Sequence, residues 1–201
     1  MHEGLVDRKA PRERTWLDET SWVDVVRGFV PDSEALFSNL LREVEWHQHR
    51  AIRGGRMVDD PRLDSSLGTR EVAEYPNLQV ARMVLDARYR VRLSPVHLVL
   101  YRNGRDGMGF HRDDEMRYLE RTIIAGLSLG ATRPFALRPR YGGTPVEFML
   151  ASGDLYVMGG RCQADWLHGV PKVPECGPKI SCVWRWAWKQ GRPEPPSRWG
   201  P

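Results

Sequence analysis

Between residues 96 and 186 the chain repeats one pattern, in which short runs of β-branched, aliphatic and aromatic residues are closed by glycine or proline. The runs fall at 96–101, 122–129, 135–137, 146–150, 154–158 and 179–186, lengths and compositions suited to strands. Such a succession predicts a sandwich or barrel rather than a parallel sheet. Ahead of it the period changes. Leu36, Phe37, Leu40, Leu41 and Val44 recur at helical spacing behind Asp32 and Ser33, either of which can cap, and this predicts a helix from 33 to near 46. A second stripe, Leu78, Ala81, Leu85 and Arg88 behind Asn77, predicts a helix over 77–88. Residues 53–63 combine turn formers and charge without period and read as a surface loop. Residues 1–20 are charged and lack a sustained apolar period, which suggests a loose arm, and 190–201, with Pro193, Pro195 and Pro196, suggest a wandering tail. The span 21–189 then makes one α+β domain, mainly β.

A chain of 201 residues is long enough to bury a real core without a second domain. No apolar run approaches the length of a membrane span, and the first nine residues lack the apolar core of a signal peptide, so a cytoplasmic monomer with no membrane partner is expected. Cys162, Cys176 and Cys182 are odd in number and have no C-x-x-C spacing, which argues against a disulfide framework and a zinc knuckle. The formal charge of +4 favours a polyanionic partner only modestly, and its distribution is more informative. Arginines crowd positions 50, 53, 56 and 62 and again 133, 138 and 140.

Within the segment 109–115, His111 and Asp113 stand two residues apart, and in an extended chain they share a face while Arg112 turns away. His168, after a strand-like run and before a glycine, is the best third ligand. Two imidazoles and a carboxylate are the facial set that holds Fe(II) and leaves coordination positions open. Downstream, Lys179, Ser181, Val183 and Arg185 alternate onto one face of a strand and place two cations and a hydroxyl in a row. Buried cations need partners, and a small dicarboxylate provides them.

Together these motifs resemble the AlkB family of Fe(II)- and 2-oxoglutarate-dependent dioxygenases, whose pattern is H-x-D, a distal H, and R-x-N-x-T-x-R. His111, Asp113, His168 and Arg185 match it. Lys179, Ser181 and Val183 depart from it, as does Val99 in what is otherwise the family's N-x-Y ending at Tyr101. The resemblance implies a double-stranded β-helix, or jelly roll, with flanking N-terminal helices, and the cofactors Fe(II), 2-oxoglutarate and dioxygen. It implies that His111, Asp113 and His168 hold the metal and that Arg185 takes the C1 end of 2-oxoglutarate, with Lys179 and Tyr101 toward the C5 end and Ser181 also touching the co-substrate. The implied reaction is oxidative dealkylation of 1-methyladenine or 3-methylcytosine in single- or double-stranded nucleic acid, DNA favoured, in repair of alkylation damage. Asp114 and Glu115 are then expected to face the cationic base, and Arg53, Arg56 and Arg62 to track phosphates from a loop over it. That loop lacks the family's aromatic-rich continuation, leaving Trp46, Tyr75 and Trp166 as candidate stacking rings. Two other readings stay open: a dioxygenase of this family acting on RNA, protein or a small molecule, and a noncatalytic nucleic-acid-binding relative.

Overall fold

The computed structural model describes residues 4–113, 116 and 120–188, and of residues 51, 53, 187 and 188 the backbone alone. In chain order the described elements begin with β1 (Arg12–Trp16), β2 (Ser21–Val26), α1 (Ser33–Glu43), β3 (Arg50–Arg53), β4 (Arg56–Asp59), β5 (Leu63–Ser66), α2 (Pro76–Tyr89) and β6 (His97–Tyr101). They continue with β7 (Met108–His111), β8 (Arg121–Gly130), β9 (Arg133–Pro139), β10 (Val146–Leu150), β11 (Leu155–Gly160), α3 (Cys162–Asp165), β12 (Trp166–Val170) and β13 (Lys179–Trp188).

A seven-stranded sheet in the order β1-β2-β11-β8-β13-β6-β5 faces a four-stranded sheet in the order β10-β9-β12-β7, and β3-β4 form a separate hairpin. This is the two-sheet sandwich expected from the run of short strands and the jelly roll that the resemblance implied. Strand alternation sorts the core into two layers. On one face of the large sheet Ala125, Leu127, Ile180, Cys182 and Trp184 pack with Leu36, Phe37 and Leu40 of α1 and Leu78, Ala81 and Leu85 of α2. On the other, Ile124, Tyr156, Met158 and Val183 meet Phe135, Leu137 and Val170 of the small sheet. Coverage on both faces explains why β8 reads as an almost unbroken apolar run.

Three expectations are corrected. The arm before residue 20 is not loose. β1 pairs with β2, although every β1 residue is exposed, because Arg14 donates two hydrogen bonds to buried Asp24, at 2.6 and 2.8 Å, and lays its guanidinium 3.8 Å from the Trp22 ring. Residues 53–63 are not a simple loop either: Gly54 and Gly55, at φ 57° and 77°, make a two-residue turn that lets β3 and β4 pair. The caps also differ. Helix α1 has no side-chain cap, since Ser33 instead accepts a hydrogen bond from Ser152, and it stops at Glu43 because Val44 turns extended. Helix α2 opens on Pro76, a residue suited to a first turn, while Asn77 donates to the Leu5 carbonyl. No described helix is long and apolar enough to cross a membrane. The three cysteines are free thiols, two of them buried.

Candidate metal and dicarboxylate site

His111 ends β7, and His168 lies directly opposite it in β12, so the sheet register itself brings the two imidazoles together, with ring centroids 4.3 Å apart. Gly169 is what allows this approach, because a Cβ there would meet the Met108 carbonyl oxygen at 2.7 Å. Asp113, two residues beyond His111, turns back under both rings. Its Oδ1 lies 3.6 Å from His111 Nε2 and 3.9 Å from His168 Nε2, and one ligand atom from each of the three residues falls within 4.8 Å of the others.

Protonation suits a cation. Burial pushes the Asp113 carboxyl up, but the Arg185 charge, the hydrogen bond from His111 and the nearby His168 hold it far below the usual carboxylate range. Burial, then the proximity of His111, lowers His168 to about 3, so its ring is neutral at working pH. A carboxylate and neutral imidazoles are the states in which these groups ligate a metal. His111 Nδ1 lies 2.9 Å from the Gly109 carbonyl, which directs Nε2 toward Asp113. Gln163, at the start of the chain's turn into β12, spans the other two ligands. Its Oε1 accepts the Asp113 backbone N–H at 2.9 Å and its Nε2 sits 3.4 Å from His168 Nδ1. Sequence reasoning missed Gln163; its only signal was its place five residues before a candidate ligand.

The three residues border a cavity between the sheets that also touches Tyr101, Ser181 and Arg185. Its floor is the Tyr156 ring, which lies across Gly126, directly opposite it on β8; a Cβ at Gly126 would sit 2.2 Å from that ring. Arg185 donates from Nε to Asp113 Oδ2 at 2.6 Å, while its Nη1 is buried without a hydrogen-bond partner. Lys179 is buried as well, 2% exposed, and its ammonium donates to the Ser128 hydroxyl. No ion pair to Lys179 occurs among the described residues. An orphan guanidinium N–H beside the metal ligands and a buried ammonium without a counterion are donors waiting for carboxylates, so the residues fit a dicarboxylate as well as a divalent metal.

Not every predicted residue lands where it was expected. Lys179 shares a face of β13 with Ser181 and lies opposite Tyr101, yet it turns to Ser128 and does not reach the cavity wall. Arg62, expected on a phosphate track, lines the cavity, with Nη1 3.0 Å from Met108 Sδ. Arg56 is exposed on the hairpin. The Arg53 side chain, Asp114 and Glu115 lie outside the described residues. None of the three candidate stacking rings borders the cavity. Trp46 and Tyr75 pack against the helical layer, and Trp166 is buried between the sheets with Nε1 donating to Asp18 at 2.6 Å.

Comparison with known proteins agrees with this chemistry. The model of the 2OG-Fe(II) oxygenase superfamily matches residues 78–182, more than half of the chain. The human alpha-ketoglutarate-dependent dioxygenase alkB homolog 3 is 31% identical over 191 residues, covering 84% of this chain and 67% of the relative. The match to its bovine counterpart spans only 58% of that protein's length. The mouse DNA oxidative demethylase ALKBH2 is 26% identical, covering 77% of this chain and 74% of its own. Among solved structures, a prolyl hydroxylase from Trichoplax adhaerens superposes with a TM-score of 0.60 at 13% identity, covering 81% of this chain and 82% of that one, which shows a shared fold. With the iron-type ligand set in place and the family model covering all three of its residues, this chain belongs to the AlkB family of the 2OG-Fe(II) oxygenase superfamily.

Proposed function

We propose that the protein is an Fe(II)/2-oxoglutarate-dependent dioxygenase that removes alkyl groups oxidatively from the ring nitrogens of nucleic-acid bases, 1-methyladenine and 3-methylcytosine in DNA being the first substrates to test. The observation that carries this reading is the convergence of His111, Asp113 and His168 with an unpartnered Arg185 N–H on one cavity. The nucleic-acid substrate draws on the similarity to a protein named as a DNA oxidative demethylase. It also draws on the exposed Arg56 of the β3–β4 hairpin and on Arg62, which lines the cavity.

His111, Asp113 and His168 would hold Fe(II), which would supply the coupling of 2-oxoglutarate decarboxylation by dioxygen to hydroxylation of a C–H bond. Each turnover converts 2-oxoglutarate and dioxygen to succinate and carbon dioxide, with one oxygen atom entering the N-alkyl carbon; the resulting hemiaminal then releases an aldehyde and restores the base. The chain's own residues do the positioning. Arg185 holds Asp113 with Nε and offers Nη1 to the C1 carboxylate of 2-oxoglutarate. Ser181 and Tyr101 line the way to Lys179, which leaves Ser128 to meet the C5 carboxylate. Tyr156 and Phe135, with ring centroids 4.2 Å apart, close the cavity floor against water. Arg62 then contacts whatever fills the cavity, and Arg56 meets phosphates. A base reaches this buried site only when unstacked, so single strands, or duplex sites that open readily, are the better substrates.

The test is to load the protein with Fe(II) and 2-oxoglutarate, supply methylated single- and double-stranded DNA and RNA, and follow base masses. Loss of the methyl group with matching succinate is expected. Succinate release without base repair on any of these strands moves the reading to another substrate, and no succinate under any condition marks a noncatalytic relative.

A further inference from the structure

His111 is the most open of the three ligands, with its side chain 30% exposed against 11% for His168 and 8% for Asp113, and it sits on β7, the edge strand of the small sheet. The cavity therefore meets solvent at a sheet edge. Alternation sends the preceding residue, Phe110, to the opposite, outer face, where it is 38% exposed and carries the Arg138 guanidinium 4.9 Å from its ring centroid. Arg138 lies on β9 opposite Leu167, the residue before His168, so both halves of this pair are one residue from a metal histidine, across the thickness of the sheet. Two residues on, Arg140 stacks in the same way, 4.9 Å from the ring centroid of Tyr141, which is 85% exposed.

Arg102, Arg161, Arg14 and Arg27 each hold a carboxylate, whereas neither Arg138 nor Arg140 has a side-chain ion pair or hydrogen bond among the described residues. Glu147, on the same face of the adjacent β10, pairs with neither. Two uncompensated guanidinium groups laid on open aromatic rings suit a partner that brings phosphates and flat bases together, because phosphates take the N–H groups and bases stack on the rings. An acidic protein surface would use the charges and leave the rings idle.

We propose that Phe110–Arg138, on the outer face of the small sheet, and Arg140–Tyr141, in the turn that follows β9, form a stacking platform, which binds the single-stranded nucleotides flanking the target base as the strand rounds the β7 edge. The proposal rests on the nucleic-acid reading of the site, and its test separates the two. Binding of a fluorescein-labelled oligothymidylate of about 15 nucleotides is followed by anisotropy across a salt series with metal-free protein, so that the readout does not depend on turnover. Tyr141→Ala is expected to weaken binding about fivefold or more, and Arg138→Gln with Arg140→Gln to flatten the log affinity against log salt line by about 0.7 per lost contact. Demethylation of a methylated trinucleotide, too short to reach the platform, is expected to be unchanged in Tyr141→Ala. If wild type binds the strand and both variants match it in affinity and slope, the platform is overturned while the nucleic-acid reading stands. If wild type binds no strand at any salt concentration, both fall. Since Tyr141 is almost wholly exposed, its replacement does not threaten the fold.

Discussion

Two cations on one face of β13 are treated oppositely. Arg185 is ion-paired with Asp113 at 2.6 Å, whereas Lys179, deeper and 2% exposed, has a hydroxyl for company and no carboxylate. The planar fork of arginine makes the first arrangement possible, since one N–H can serve the metal ligand while another stays available. An ammonium is a point charge and does one of these at a time. The contrast teaches which charge belongs to the apo fold and which awaits a ligand: a compensated cation holds the site's geometry, and an uncompensated one holds a place for an anion.

The harshest way to break the comparison is to remove the shared carboxylate. Asp113→Ala is expected to abolish metal-dependent thermal stabilisation and to lower turnover at least a thousandfold, while leaving Arg185 as a buried unpaired charge that costs about 3–5 kcal/mol. Near-normal turnover in the purified variant rejects the ligand assignment.

Next come two substitutions expected to move stability in opposite directions. Arg185→Met strands Asp113 and is expected to destabilise the apo protein by about 3 kcal/mol, whereas Lys179→Met removes a buried, unpaired ammonium and is expected to stabilise it by roughly 1–3 kcal/mol. Both raise the 2-oxoglutarate requirement, Arg185→Met by about thirtyfold or more. Denaturant midpoints decide the matter, and the same sign for both variants would dissolve the distinction between the two cations.

A milder test is pH. Burial, and then the Arg133 charge, lower Lys179 from 10.5 to about 7, so unfolded chain keeps this proton between those values and folded chain does not. Folding expels a proton in that window, and this group's contribution makes stability rise with pH from 7 to 10.5. Well below pH 7, both states are protonated and the full cost of burial is felt. The stability advantage of Lys179→Met should thus be greatest well below pH 7 and close toward pH 10.5, and a pH-independent gap contradicts the assignment. The smallest expected effect is on the hairpin, where Arg56→Ala should flatten the salt dependence of strand binding by about 0.7 to 0.9. Identical slopes would take Arg56 off the binding surface.

Much of this was legible in the chain because local pattern and global fold agree. The strand runs, both helices and the H-x-D spacing each depend on residues near in sequence, and the glycines that separate the strands mark where they turn. What escaped reading depends on distant partners. β1 looks like a charged arm until Asp24 is placed beneath Arg14, and the β3–β4 hairpin lacks an apolar face because Ile52 and Met57 lie exposed as a cross-strand pair. Gln163 gains meaning only when α3 brings its amide between Asp113 and His168. Aromatic content misled in the other direction: Tyr75 and Trp166 are core residues and Trp46 packs half-buried against the core, and nothing in their local sequence distinguishes a ring that packs inward from one that stacks on a base. The alternation of Lys179, Ser181 and Arg185 was readable, but the bend of Lys179 toward Ser128 was not, since it is set by a hydroxyl on β8.

The two-sided burial of β13 has a further consequence, for the kinds of change the gene can tolerate. Ile180, Cys182 and Trp184 serve the helical layer, while Ser181, Val183 and Arg185 serve the site, so the two functions are interleaved residue by residue on one ribbon. A substitution on one face leaves the other intact. A single-codon deletion between 180 and 184 does not, because it shifts the reading of the pleat by one and turns the indole toward His111, Asp113 and His168 while driving a guanidinium into the packing of α1 and α2. Length in this strand is therefore held more tightly than identity, and variants that survive selection should carry replacements here but no insertions or deletions.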